Sequence, residues 1–410
     1  MTVLFLISLA LLFPISIEGT IERDYWPTEG WRTSTPEEQG MSSEKLMEMM
    51  EFISENSYFV HSVVVIRNGY LVWEEYIDPI YDVNTTHLLF SVTKSFTSSL
   101  VGIAADKGYI DDISQTMVSF FPDREIANIE GGKERVTLED LLMMRAGMFW
   151  DESSTPYDTP ENGIYHINRE DGLQYSLDLP MVAEPGELWH YSTGASQILS
   201  GIVTVTTGRT TLEFAMEHLF ELLGISNVVW AKDMGGTYKG GFDLQLTPRD
   251  MAKFGYLYLN DGIWDGVQVV SEEWVEVSTS PLTRLNEGQG YGYQWWTMPE
   301  ENIFHASGLY GQGIYVSRDE DIVFAVTAGV SPSQHEAIHR LMTDYVMGAV
   351  EGGETEPQEQ DSSTETGIPG FPAPSVLLGL TLGALTLLVR ARDSHRWFTG
   401  SPIASRTRGA

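Results

Sequence analysis

Apolar positions along this chain follow two periods. In MSSEKLMEMMEFISEN (41–56) they recur at helical spacing behind a pair of serines, which predicts a capped helix. Directly after it, FVHSVVVIRNGYLVWEEYI (59–77) reads as two β-rich runs, and Asn68-Gly69 between them is a strong hairpin signal. A second antiparallel pair is predicted in GIYVSRDEDIVFAVTAG (313–329), followed by a helix in SQHEAIHRLMTDYVMGAV (333–350). Between these framing strands, residues 91–275 read as mostly helical and loop-rich. There SVTKSFTSSLVGIAADKG (91–108) places Val92, Phe96, Leu100 and Ile103 on one face of an amphipathic helix, which Gly108 ends. The pattern predicts an α/β fold over residues 28–347: an antiparallel sheet flanked by terminal helices, plus a large helical subdomain.

The two ends break the pattern. VLFLISLALLFPISI (3–17), followed by polar EGTIERD, has the length of a signal-peptide core, so residues 1–19 are expected to be a signal peptide or an N-terminal anchor. Residues 351–367, EGGETEPQEQDSSTETG, are acidic and polar and predict a disordered linker. Phe371 to Val389 is an apolar run of about 28 Å as a helix, enough to cross a hydrocarbon core. Arg390, Arg392 and Arg396 begin a basic tail (390–410) expected to stay cytoplasmic. Pro369-Gly370-Phe371, the span and the arginines resemble the PGF-type C-terminal sorting signals of archaeal surface proteins. The expected location is therefore the extracellular face of a membrane, reached by export and held by the C-terminal segment alone.

Charge narrows the partners. Lys plus Arg number 24 and Asp plus Glu 58, a net charge of −34. Such a surface repels nucleic acid, which is set aside as a partner. With no cysteine, the chain has neither a thiol nucleophile nor thiolate metal sites.

Candidate chemistry enters at Ser91 and Lys94. One helical turn apart at a helix start, they put an amine within reach of a hydroxyl. The free N–H groups there favour a developing oxyanion. Lysine titrates near 10.4, too high for a base at neutral pH, but desolvation by apolar and hydroxylic neighbours can lower it by several units. Ser-x-x-Lys occurs a second time, at Ser42 and Lys45, where a helix cap explains it.

Five further segments give the Ser91 match in SVTKSFTSSLVGIAADKGYID its context: VTLEDLLMMRAGMFWDE, EPGELWHYSTGASQILSGIV, LQLTPRDMAKFGYLYLNDGIWDG, YGYQWW and FHASGLYGQGIYVS. In this order and spacing, residues 28–347 resemble the serine β-lactamase-like hydrolases. That group takes in class C β-lactamases, D-Ala-D-Ala peptidases, esterases and 6-aminohexanoate-dimer hydrolases. MRAGMFWDE and YGYQWW point to the last two branches. The resemblance implies an active site between the sheet and the helical region, with no cofactor and no metal. It makes Ser91 the acylated nucleophile and Lys94 its base. Tyr191, in Tyr191-Ser192-Thr193, matches the tyrosine of the Tyr-x-Asn box and would relay a proton to the leaving group. Thr193 stands where the family has asparagine. The third box, Lys-Thr-Gly in β-lactamases, becomes His305-Ala306-Ser307-Gly308. Either His305 or, with one gap, Ala306 takes the lysine position, and the permanent cation is gone in both. A backbone N–H near Leu309 is expected to complete the oxyanion hole with that of Ser91. His305, Ser307, Gly308, Leu309 and Thr193 are thus the oxyanion and substrate-binding candidates, for a small ester, amide or peptide-like substrate.

Two other classes compete. His335-Glu336-Ala337-Ile338-His339 is an HExxH string, the zinc-protease signature, but Glu351 and Glu354, which could supply a third ligand, fall in the predicted linker. A binding protein on the same fold is the other alternative; it would have no need of Ser91, Lys94 and Tyr191 together.

Overall fold

Asn68 and Gly69 both take positive φ, 52° and 82°. This matches a primed two-residue turn, the geometry that the twist of a hairpin favours. It joins β1 (Val60–Arg67) to β2 (Tyr70–Tyr76), paired antiparallel with Arg67 opposite Tyr70. The computed structural model describes residues 23–350. The expected leader (1–19), acidic linker (351–367), apolar span (371–389) and basic tail (390–410) lie outside the described residues. Among the described residues no helix is long and apolar enough to cross a membrane.

Six more strands complete the sheet: β3 (Thr283–Arg284), β4 (Gly290–Tyr291), β5 (Trp296–Met298), β6 (Ile303–Gly308), β7 (Gln312–Ser317) and β8 (Ile322–Ala328). Their order is β2-β1-β8-β7-β6-β5-β4-β3, and every neighbouring pair is antiparallel. The two predicted hairpins lie side by side, because β1 pairs with β8 as well as with β2.

The run VVVI in β1 shows no polar alternation because both faces of the sheet are covered. Val63 and Val65 pack with Leu46, Met49 and Ile53 of α1 (Ser43–Glu55) and with Ile338 and Leu341 near the C-terminus. Val64 and Ile66 point the other way, into a larger core shared with α2 (Thr93–Asp106), α3 (Thr193–Thr207) and α4 (Pro248–Leu259). At the head of α1 the Ser42 hydroxyl accepts from the Lys45 N–H at 3.2 Å, and the Lys45 ammonium pairs with Glu48 at 2.8 Å. The Ser42–Lys45 match is therefore a helix cap, as expected. The last helix, α5 (His335–Arg340), continues through a wider turn over Leu341–Val346.

One expectation is overturned. α2 is not amphipathic: every residue from Thr93 to Ala104 is buried. It runs between the sheet and α3, and a Cβ on Gly102 would sit 2.5 Å from the Trp274 ring. Its hydroxyls read as a polar face in sequence because their partners are distant. Ser95 Oγ donates to the Gln294 carbonyl at 2.8 Å and Thr97 Oγ1 to that of Gly240 at 2.6 Å. Bonded in this way, hydroxyls are tolerated in a core.

Candidate active site

Leu88 pairs with Gln245 in a short ladder, and the Leu89 N–H donates to the Leu244 carbonyl at 2.9 Å. The chain then turns sharply at Phe90, whose φ is 48°. A non-glycine residue held there stores about 1–3 kcal/mol of strain. The turn delivers Ser91 to the start of α2. Gly308, at the end of β6, comes so close that a Cβ on it would lie 2.3 Å from the Leu89 carbonyl oxygen. Tyr310, also at positive φ, sets its ring edge-on to Phe90 at 5.2 Å.

Lys94 is 1% exposed. Its Nζ lies 3.1 Å from Ser91 Oγ, 2.9 Å from Thr193 Oγ1 and 3.0 Å from the Gly241 carbonyl oxygen. Burial pushes its pKa down to about 8, against an upward pull from Glu152. A neutral amine has two N–H donors and one lone pair. With Thr193 and Gly241 accepting the two N–H bonds, the lone pair is left for the Ser91 O–H, which is the arrangement a general base needs.

Tyr191 sits beside this pair. Lys94 Nζ lies 4.9 Å from the centre of its ring. Burial first, then Tyr291 and Glu152, raise the phenol well above its usual pKa, and a side-chain contact with Ser91 offsets this only in part. At neutral pH Tyr191 is therefore a proton donor. Its ring stacks on Trp296 at 5.7 Å, in an aromatic wall that includes Tyr291 and Trp189.

Ser91 and Tyr191 line one cleft with His305, Ser307, Gly308 and Leu309. β5 pairs with β6 only as far as His305, so Ala306–Gly308 form a free edge on that side. Strand alternation sets Ala306 and His305 on opposite faces of β6. Ala306 packs in the core that holds α2 and α4. His305 faces the other way: its ring stacks on Tyr315 at 4.9 Å and meets His339 edge-on at 5.1 Å. Among the described residues no lysine or arginine lines the cleft. Thr193 is turned away from the cleft toward Lys94, its hydroxyl committed to the amine.

His335 and His339 of the HExxH string reach the far side of the same cleft. The Tyr315 hydroxyl lies 3.1 Å from His339 Nδ1. Among the described residues no group of three or more His, Asp or Glu side chains is placed to hold a metal ion.

Burial holds His335 and His339 near a pKa of about 4 and His305 well below its usual 6.5; His61 and His87, elsewhere in the fold, are also at about 4. Each stays neutral when folded, and the unfolded chain binds the extra proton. Stability is therefore full above pH 6.5 and falls as pH drops from 6.5 toward 4. At pH 5 each such group costs about 2 kcal/mol. Thermal melts should lose stability steeply between pH 6.5 and 5; a flat Tm across that interval would contradict the burial of these rings.

Sequence assigns no role to two contributors. Gly241 reaches Lys94 only through the fold, and its bare Cα allows the approach, since a Cβ there would meet Thr193 at 2.6 Å. Glu152 Oε2 accepts from the Thr193 N–H at 3.0 Å and from the Trp150 indole.

The profile of one family, described as Beta-lactamase, matches residues 57–345. The 6-aminohexanoate-dimer hydrolase of Paenarthrobacter ureafaciens is 23% identical over 287 residues, covering 65% of this chain and 72% of that protein. Among solved structures, the octameric penicillin-binding protein homologue from Pyrococcus abyssi has a TM-score of 0.58 at 19% identity, over 76% of this chain and 78% of its own. EstCE1, a hydrolase with promiscuous acyltransferase activity, has a TM-score of 0.62 at 14% identity, over 76% and 98%. At such identities these structures speak for the fold alone.

Proposed function

Because the chain belongs to the Beta-lactamase family of serine hydrolases, we propose that it cleaves small esters or linear amides through an acyl-enzyme on Ser91. The observation that carries this reading is the Lys94 amine, buried, lowered to about 8 and 3.1 Å from Ser91 Oγ. Lys94 takes the Ser91 proton as Oγ attacks the carbonyl carbon. Backbone N–H groups of Ser91 and Leu309 hold the oxyanion. Tyr191 donates a proton to the leaving group and takes back the one that Lys94 removed from Ser91, the C–O or C–N bond breaks, and water then releases the acid from Ser91.

The substrate class is supported by what the cleft lacks. β-Lactamases pair a third-box lysine with the carboxylate of the antibiotic, a charge-assisted contact worth about 1.5–3 kcal/mol. Here Ala306 faces the α2 side and His305 is held neutral by burial. The curated relative is named for hydrolysis of a 6-aminohexanoate dimer and not of a lactam. We expect kcat/KM for a p-nitrophenyl ester to exceed that for a chromogenic cephalosporin. Cephalosporin turnover at about 10⁶ M⁻¹s⁻¹ or more, with a much slower ester, would refute this assignment.

A further inference from the structure

The reaction proposed above ends with a water molecule, and the groups assigned so far leave it without a holder. Lys94 is committed to Ser91, Thr193 and Gly241. The wall of the cleft contains one polar group with nothing bonded to it. His305 is 2% exposed, and among the described residues neither Nδ1 nor Nε2 has a hydrogen-bond partner. The ring is nevertheless fixed. β5 and β7 flank β6, and their register sets Trp296 and Tyr315 on either side of His305. The three rings lie in a near-parallel row, Tyr315 at 4.9 Å and 10°, Trp296 at 6.5 Å and 19°. Both faces of the imidazole are thus covered, and only its edge can meet a ligand. His339, bonded to the Tyr315 hydroxyl at 3.1 Å, meets that ring at 5.1 Å and completes the clamp. Buried nitrogens without partners are rare in folded proteins, and buried water is what commonly answers them. The cleft offers ≈ 20 Å³ of free space, enough for one water, and Ser91, Tyr191 and Ser307 line it with further oxygens.

The geometry points to His305 as the residue that holds the water which hydrolyses the acyl-enzyme. This rests on the hydrolase reading above and deepens it. Burial keeps the imidazole neutral, so one nitrogen carries a proton and the other a lone pair. The lone pair accepts a hydrogen bond from the water, which turns a water lone pair toward the acyl carbonyl on Ser91. The water oxygen then bonds to the carbonyl carbon. One of its protons passes to the neutral Lys94 amine and on to Ser91 Oγ as the C–Oγ bond breaks. The acid keeps the other proton, and serine and amine are restored. His305 gains and loses no proton in this sequence. It positions the nucleophile, a task for which a rigid, neutral ring edge is suited.

Stopped-flow hydrolysis of p-nitrophenyl acetate separates the two half-reactions. Acylation appears as the first p-nitrophenol released per enzyme, and deacylation sets the steady rate that follows. His305→Phe keeps a flat ring between Trp296 and Tyr315 and removes both nitrogens. It should slow deacylation by about 10–100-fold while changing acylation less than about threefold. A burst close to one p-nitrophenol per enzyme should then appear, and acetylated Ser91 should accumulate in the intact mass spectrum. His305→Asn, which keeps a donor and an acceptor, should recover part of the lost rate. A merely structural role would lower both phases together. Equal losses in the two phases, or a deacylation rate unchanged in His305→Phe, would overturn the inference. If His305→Phe does not fold, the wild-type protein decides with methanol added to the assay. A held water should outcompete methanol for the acyl-enzyme by about tenfold or more per mole, because methanol carries an extra methyl into a water-sized space. A product ratio near one, or one that favours the methyl ester, refutes the site. Enzyme that is labelled by a fluorophosphonate but loses both phases equally sinks this inference alone. Failure of p-nitrophenol release and of labelling in the wild-type protein sinks the hydrolase reading beneath it.

Discussion

Ser91→Ala should abolish hydrolysis, lowering kcat by about 10⁴–10⁶, the loss expected when a serine nucleophile is removed. It should also abolish labelling by a fluorophosphonate probe, whose adduct on the wild-type protein should map to Ser91 by mass spectrometry. The fold should survive, because Lys94 keeps the Thr193 hydroxyl and the Gly241 carbonyl as partners. Ser42→Ala is the matched control. It removes the acceptor for the Lys45 N–H and should cost about 1 kcal/mol of stability with kcat and labelling intact. Labelling that persists in Ser91→Ala would place the nucleophile elsewhere.

The pH profile should belong to Lys94. The amine acts as a base only when unprotonated, and its pKa is about 8. At pH 7 about one molecule in ten then carries the active form. Activity is lost as pH falls through 8 and saturates above it: kcat/KM for a neutral ester should rise nearly tenfold per unit between pH 6 and 7 and level off beyond pH 8. Lys94→Met should cost about 10²–10⁴ in kcat and flatten the rise. A limb centred near 6.5 would implicate a histidine, and one that survives Lys94→Met would exclude the amine as the base.

The framework of this chain is readable because its signals are local. Asn68-Gly69, the Ser42 cap and the two β-rich pairs each depend on a few neighbouring residues, and the structure contains them all. Ser91 and Lys94 are readable for the same reason, being one helical turn apart. What sequence hides is what depends on distant strands. α2 reads as amphipathic because Ser95 and Thr97 look polar until Gln294 and Gly240 arrive to bond them. His305 and Ala306 cannot be told apart from a motif, since only the pleat of β6 between α2 and α5 assigns each a side. Glu152 and Gly241 lie in loops, and only the packing of α3 against α2 brings both to the lysine.

The pairing of β1 with β8 sets Ser62 against Thr327, 265 positions along the chain, with their hydroxyls 2.6 Å apart. During synthesis the ribosome therefore releases β1 and β2 long before the strand that flanks them on the other side exists. A two-stranded hairpin alone is marginal in water, so the nascent chain cannot close its central sheet until residues near 328 have emerged. Contacts of this span also slow folding, since a long loop must close before they return any stability. A transcript truncated anywhere ahead of Ile322 should yield a chain with its apolar β1 edge uncovered, prone to aggregate or be degraded rather than to persist as a smaller folded enzyme.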